Sequence, residues 1–364
     1  VKVCFVAQFP PPIHGLSKAV DTLYNSRLRN KYNFTKINIT NNRLIIINLV
    51  KLLFSRADYF YLTVSQSRGG NLRDLCIMML LRITRKRYGV HVHGGLHFRE
   101  VIYHGMPMWQ RKLNIHLLSE VSFAISLSES LRPNFIDIVP EKRIWVIENG
   151  VSKDNVPSES EFRVTLTERL NKSVKQVLFL SNLIESKGYR KVLEVAAIER
   201  KRIVSGEKQR LKFDFAGAFF DVSERNFFES FVREKKLEDF VTYHGVVKGD
   251  KKKQLLQNAS IFCLPTWYPV EGQPISMLEA MANGEYIIST KHAAIPDIIT
   301  SECNGILYDH DVDAVQMHKD MTRLSDAKLE KASNSNRACF FRRYTETKYV
   351  DKFDSLFTVL ENGL

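Results

Sequence analysis

The sequence predicts an α/β protein made of two doubly wound halves, each a parallel sheet with crossover helices. Three observations predict it. Short β-rich apolar runs alternate with amphipathic helical patterns. The alternation runs through the first half of the chain and then repeats in the second. The length, 364 residues, suffices for two domains with separate cores.

In the first half, residues 1–7 read as a strand, followed by a proline loop and a helix over 16–29 with Leu16, Val20, Leu23 and Leu28 near one face. Residues 58–63 read as a strand, 71–84 as a helix and 88–93 as a strand ending in His93-Gly94-Gly95. Residues 123–126 and 144–147 are expected as later strands. In the second half, strands are expected at 176–181, 212–216, 241–244, 261–264, 286–289 and 305–308. Helices are expected at 189–202, 227–236, 251–258 and 277–283. The polar stretch 152–169 reads as a linker. The last segment, 344–364, carries Tyr349, Phe353, Leu356, Phe357 and Leu360 at helical spacing. The expected domains are residues 1–152 with a final helix of about 344–364, and residues 153–343. Sheets of this kind bind ligands at the carboxyl ends of their strands, and two facing domains make the cleft between them the expected site.

Composition excludes several classes. Five cysteines, Cys4, Cys76, Cys263, Cys303 and Cys339, lie far apart without a CxxC pair, so thiols in a reducing compartment are expected rather than disulfides or zinc ligands. No apolar run reaches the ~18 residues of a membrane span; the longest, 44–54, is broken by Asn48 and Lys51. The first residues read as a strand rather than a signal peptide, and a cytoplasmic protein is expected. Charge is lopsided. Residues 1–150 hold 21 Lys+Arg against 9 Asp+Glu, which leaves residues 151–364 close to neutral within the total of +13. A one-sided basic half points to an anionic partner, nucleic acid or a membrane surface. Arg82, Arg85, Lys86 and Arg87 form its densest cluster.

Glu271 and Glu279 stand eight residues apart in a run of expected strand, Gly-Pro turn and helix. Ser276 reads as the helix N-cap with Glu279 three residues on, as in a capping box. A helix N-terminus after a glycine turn presents backbone N–H groups to an anion. Carboxylates beside it suit sugar hydroxyls, because each accepts several hydrogen bonds. Other motifs come in order before it: Pro10-Pro11-Pro12-Ile13-His14-Gly15, His93-Gly94-Gly95, Glu148-Asn149-Gly150-Val151 and Lys187-Gly188. Alone, His93 could be a packed strand-end histidine, His91 competes for its role, and Lys187-Gly188 could be a turn. The lysines at 251–253 read as a solvated helix start, and Asn149-Gly150 as a hinge.

Taken in this order, the motifs resemble family 4 of the retaining nucleotide-sugar glycosyltransferases, of the GT-B fold, over nearly the whole chain. The resemblance implies two Rossmann-like domains facing a central cleft. It implies that Glu271 contacts donor-sugar hydroxyls and Glu279 the ribose. Backbone groups of Gly272, Gln273, Pro274, Ile275 and Ser276 would face sugar and phosphate. Lys187 would neutralise the diphosphate, Gly15 would let its loop approach that diphosphate, and His93 would sit at the reacting face. One position departs from the pattern: Asn182 stands where the family commonly has an arginine, so one phosphate contact is either missing or supplied elsewhere, by Arg190 or the first domain. His97 and Arg99 are either acceptor contacts or loop residues.

The resemblance implies no cofactor beyond a nucleotide-sugar co-substrate, a UDP-sugar favoured over a GDP-sugar. Metal-independent chemistry is expected, since no acidic pair sits at an expected strand end. The basic half is expected to bind a glycan acceptor on a lipid carrier at the anionic inner face of the cell membrane, with Arg82, Arg85, Lys86, Arg87 and the apolar run 44–54 as docking surface. The assembly of bacterial surface polysaccharide is the expected setting. An alternative is a basic α/β nucleic-acid-binding protein. It lacks the aromatic–basic interleaving of RNA modules and leaves the Glu271…Glu279 motif unexplained. A nicotinamide dehydrogenase is disfavoured, because no GxGxxG follows an expected strand.

Overall fold

Near-continuous apolar runs such as Tyr59–Thr63 and Tyr286–Thr290 are buried along their whole length, as strands covered by helices on both faces must be. The computed structural model describes residues 1–11, 15–300 and 304–363, and all but the side chain of Asn155 among them. Pro12, Ile13 and His14 of the proline motif, and Cys303, lie outside the described residues. The chain divides into two units: Val1–Gly150 with Val270–Gln273 and Glu346–Leu364, and Val151–Pro269 with Pro274–Thr345.

The first unit runs β1 (Lys2–Ala7), α1 (Gly15–Tyr24), β2 (Asn33–Asn38), α2 (Ile45–Phe54), β3 (Tyr59–Thr63), α3 (Arg68–Ile83), β4 (Arg87–His91), α4 (His97–Tyr103), α5 (Met108–Ser119), β5 (Phe123–Ser126) and β6 (Ile144–Val146). Among the described residues its strands form one parallel sheet in the order β2-β1-β3-β4-β5-β6. The chain order reverses between β1 and β3, which makes their carboxyl ends the switch point where such sheets take ligands.

The second unit runs α6 (Glu159–Asn171), β7 (Lys175–Leu180), α7 (Tyr189–Val204), β8 (Leu211–Ala216), α8 (Val222–Glu234), β9 (Val241–Tyr243), α9 (Gly249–Asn258), β10 (Ile261–Leu264), α10 (Ile275–Ala282), β11 (Tyr286–Thr290), β12 (Gly305–Tyr308), α11 (Ala314–Thr322) and α12 (Asp326–Arg343). Its parallel sheet has the order β12-β11-β10-β7-β8-β9. Renumbered within the unit this is the dinucleotide-binding order, with the switch point between β7 and β10. The last helix, α13 (Glu346–Glu361), joins the core of the first unit: Tyr349, Phe353 and Phe357 pack with Phe5, Phe34 and Tyr61.

Three expectations are corrected, and one run without an assigned element is placed. The stretch 152–169 is no plain linker: α6 starts inside it, with Ser158 and Glu161 forming a reciprocal capping box and Phe162 and Leu166 buried. The apolar run 44–54 is mostly helix α2, packed through Leu52. The helix expected over 16–29 stops at Tyr24 and is followed by a separate 3-10 turn, Arg27–Asn30, capped by Ser26. Helix α10 starts at Ile275 with Pro274 as its cap, so Ser276 is inside the helix and caps nothing.

One buried acid stands apart. Both carboxyl oxygens of Glu285 are buried without a hydrogen-bond partner. Burial pushes its pKa well above the usual carboxylate range, Arg169 opposes this, and Glu279 reinforces it. Above about pH 4.5 the unfolded chain ionises this carboxyl while the folded protein keeps it protonated. Stability therefore falls as pH rises, by about 1.4 kcal/mol per pH unit, until the folded group itself ionises. Glu285→Gln is expected to remove this slope and to raise stability at pH 8 relative to pH 5. Urea unfolding at the two pH values checks it; an unchanged slope would exclude Glu285 as its source.

Candidate functional site

In the second unit the functional residues gather at the switch point. The loop after β7 carries Asn182 and Lys187, and Gly188 turns it into α7 with φ +85°. A Cβ on Gly188 would stand 2.3 Å from the Pro265 carbonyl oxygen, so only glycine lets this loop meet the one after β10. The two loops are laced by the Trp267 N–H donating to the Ser186 carbonyl at 2.8 Å. The Lys187 ammonium lies 4.7 Å from the centroid of the Tyr268 ring, a cation–π contact that holds the charge at this strand end. Arg190, one candidate for the missing phosphate contact, has partners within the protein. It pairs with Glu185 and Glu224, each at 3.0 Å, and stacks over Phe227.

The loop after β10 leads into α10. Its earliest backbone N–H groups have no partner within a helix, the property that draws anions to such ends. Glu279, in the middle of α10, is only 1% exposed and pairs with Lys252 at 2.5 Å. Lys252 was expected to be solvated. Instead α9 aims it at the buried carboxylate, and no spacing rule distinguishes it from its neighbours in the run Lys251-Lys252-Lys253. Lys252→Met removes this partner and is expected to destabilise the protein by about 2 kcal/mol. It is also expected to weaken nucleotide binding; calorimetry and thermal unfolding on one sample check both.

In the first unit, His93 follows β4. Its backbone supports the segment that carries Glu271: a Cβ on Gly272 would lie 2.4 Å from the His93 carbonyl oxygen and 2.9 Å from Leu127 Cδ1. Asn149 clasps the same segment. Its backbone N–H donates to Gln273 Oε1 at 2.7 Å and its side-chain amide to the Gln273 carbonyl at 3.3 Å. Asn149 thus clamps this segment, and the division between the two units falls just after it, at Gly150. Glu271, 7% exposed, is thus buried one residue before the point where its segment meets His93, a meeting that sequence order alone could not reveal. Gly94 is backed just as closely, by the side chain of Gln66.

His91 and His93 come together rather than compete. His91 is fully buried, its ring centroid 3.8 Å from that of His93. Burial, then the neighbouring His93, hold the His91 pKa well below its usual value, so it is neutral. Gly15 begins α1. At the β1/β3 switch point lies a cavity of about 700 Å³ bounded by Gln8, Thr63, Ser65, Arg68, His97 and Val270, among others. His97 thus lines a cavity, while Arg99 is occupied with the carbonyls of Pro133 and Ile136.

The basic cluster disperses. Lys86 is not a free surface cation: it donates to the carbonyls of Leu52, Leu53 and Ser55, closing the end of α2. Arg82 faces Glu120 at 3.4 Å, and Arg87 lies over Tyr59 and donates to its hydroxyl. Arg85 is exposed. No group of three metal-ligating side chains occurs among the described residues, and no helix among them is long and apolar enough to cross a membrane.

Residues 166–339 match the family model described as Glycosyl transferases group 1. The amylovoran biosynthesis glycosyltransferase AmsK of Erwinia amylovora is 27% identical over 172 residues, 46% of this chain and 39% of that protein. The putative colanic acid biosynthesis glycosyltransferase WcaL of Escherichia coli is 24% identical over 220 residues, 57% of this chain and 50% of that protein. The chain thus spans about half the length, or less, of these curated relatives. Among solved structures, Anabaena HepE in complex with UDP aligns with a TM-score of 0.75 at 14% identity, over 99% of this chain and 100% of that one. Sucrose-phosphate synthase from Thermosynechococcus elongatus aligns with a TM-score of 0.75 at 13% identity, over 100% of both chains. These likenesses show the fold, two Rossmann-like units of the GT-B class.

Proposed function

We propose that the chain, whose residues 166–339 match the family model described as Glycosyl transferases group 1, transfers a sugar, with retention of configuration, from a nucleotide-sugar to a hydroxyl of a glycan acceptor. The observation that carries this reading is the pair of buried carboxylates, each built into place: Glu271 on a segment that only glycine 272 admits, and Glu279 against Lys252. Glu271 takes the sugar hydroxyls, Glu279 the ribose, and Lys187 with the backbone of Gly272 to Ser276 the diphosphate. Gly15 lets its loop approach the same phosphates, and His93 contacts the sugar.

The chemistry follows from charge. Breaking the bond from the anomeric carbon to phosphate oxygen leaves a nucleoside diphosphate on which negative charge grows. Lys187 and the start of α10 oppose that charge most strongly at the transition state. The acceptor oxygen bonds to the same face of the anomeric carbon, and its proton passes to the departing phosphate oxygen. No metal is invoked, so EDTA is expected to leave turnover intact. A UDP-sugar is the favoured donor, an assignment supported by the UDP complex of HepE. Calorimetry against UDP- and GDP-sugars tests the donor, and NMR of the product tests its anomeric configuration. Binding of neither donor, or an inverted product, overturns the reading.

The names of AmsK and WcaL, of amylovoran and colanic acid biosynthesis, support polysaccharide synthesis as the setting; a lipid-linked acceptor at the inner face of the membrane is our reading of the basic first half. No nucleic-acid partner is invoked. Helix α2 supports a peripheral membrane role. Ile46 and Phe54 are 73% and 76% exposed, Ile47, Val50 and Leu53 are exposed with them, and no acidic residue occurs from 22 to 57. The docking surface is thus α2 with Arg43, Lys51 and Arg85 rather than the cluster that includes Lys86. Ile47→Ser combined with Phe54→Ser is expected to weaken sedimentation with anionic vesicles at least about tenfold. Equal sedimentation with neutral and anionic vesicles would remove the membrane role.

A further inference from the structure

Through its hydroxyl, Tyr61 reaches both of the neighbouring histidines. It belongs to β3, whose register beside β4 pairs Tyr61 with Gly89 and Thr63 with His91. Its hydroxyl oxygen lies 2.6 Å from His91 Nδ1 and 3.5 Å from His93 Nε2. The surroundings are dry: Phe5 packs on Tyr61 at 5.1 Å between ring centroids, and Phe353 packs on both Tyr61 and His91. Tyr61 and His91 are each fully buried.

One hydroxyl proton must serve two neighbours, and the way it is shared is decided by His91 Nε2, which is buried without a partner. His91 is neutral, so one ring nitrogen carries hydrogen and the other a lone pair. If Tyr61 donated to His91 Nδ1, the imidazole hydrogen would sit on Nε2 as an orphaned buried N–H, a costly arrangement. If Nδ1–H donates to Tyr61, only a lone pair is left unmet, and unmet acceptors are better tolerated than unmet N–H donors. The second arrangement frees the tyrosine proton to point at His93 Nε2. His93 then accepts at Nε2 and carries its hydrogen on Nδ1.

We propose that Tyr61 is a positioning residue: oriented by His91, it favours the Nδ1–H tautomer of His93, the form in which the ring meets a donor-sugar oxygen with an N–H at Nδ1 rather than a lone pair. The assignment of the tautomer stands on the geometry alone; its use in transfer rests on the proposed contact of His93 with the sugar. Deprived of Tyr61, the His93 ring loses both the partner that selects its tautomer and one of the contacts that set its angle.

The test is a long-range proton–nitrogen NMR spectrum of protein labelled with nitrogen-15 histidine, at a pH where His93 is neutral. The expected pattern for His93 is a protonated Nδ1 and an unprotonated Nε2. In Tyr61→Phe the two nitrogen signals are expected to move toward each other as the tautomers mix. In the same variant kcat is expected to drop about tenfold with the donor KM little changed. A protonated Nε2 in the wild type, or unmoved signals in Tyr61→Phe, overturns the proposal. Should Tyr61→Phe fail to fold, the wild-type spectrum alone decides. Signals that move while kcat does not would keep the tautomer assignment and defeat the sugar contact of His93, so the two failures are distinguishable.

Discussion

Glu271→Gln is expected to lower kcat by about 10²–10³-fold while nucleotide affinity changes by less than about threefold. Glutamine keeps the shape and the hydrogen-bonding reach of the side chain. It loses the charge and replaces one acceptor oxygen with a donor, where sugar hydroxyls call for acceptors. The drop corresponds to about 2.7–4 kcal/mol of transition-state stabilisation, the scale of one well-aimed polar contact in a water-poor site. Glu279→Ala is expected to do the reverse and mainly weaken the nucleotide. Steady-state kinetics with the best donor from calorimetry, and UDP titrations of each variant, separate the two. Full activity in both variants would refute the assignment of the pair.

Gly272→Ala is expected to come close to the same loss of turnover without touching a charge. The added methyl would stand 2.4 Å from the His93 carbonyl oxygen and 3.0 Å from its carbon, backbone atoms that cannot swing aside. Restoring ordinary contact moves the Glu271 segment by about 1 Å, and a misplacement of that size costs about 10²-fold in rate. Gly69→Ala is the control, because nothing lies within 4 Å of its added Cβ. A kcat for Gly272→Ala within about threefold of Gly69→Ala would show that the loop is not fixed from beneath.

Several elements were legible because burial leaves a plain signature. The strands at Phe123–Ser126, Ile261–Leu264 and Gly305–Tyr308 lie where their short runs, bounded by turn residues, put them. Strand β2 was not expected. It is an edge strand whose residues alternate loosely between buried and exposed, so no run of β-formers stands out. Helix α6 was obscured by its polar surface, although its Ser158…Glu161 cap was written in the sequence. The limits at the site have another cause. Motif order brings Lys187, His93, Glu271 and Glu279 to attention, but Lys252, Tyr61 and Asn149 act through partners 27, 32 and 124 residues away. Only the folded register makes those neighbours. The misjudged cations fail for the same reason. Lys86 and Arg190 look like every other surface cation until the carbonyls and carboxylates around them are known.

The route of the chain through its first unit bears on how a ribosome delivers the protein. Strands β1 to β6 are synthesised early, yet one face of their sheet waits for Tyr349, Phe353, Leu356, Phe357 and Leu360, which emerge with α13. Until then Phe34 lacks its contact with Phe357 and Tyr61 its contact with Phe353. The second unit is synthesised later, and its core cluster includes no residue of α13. Maturation therefore runs against the order of translation: the half made first is completed last. Premature termination before α13 is expected to spare the Lys187 half and leave the histidine half unfinished, a chaperone-dependent fragment still able to hold a nucleotide.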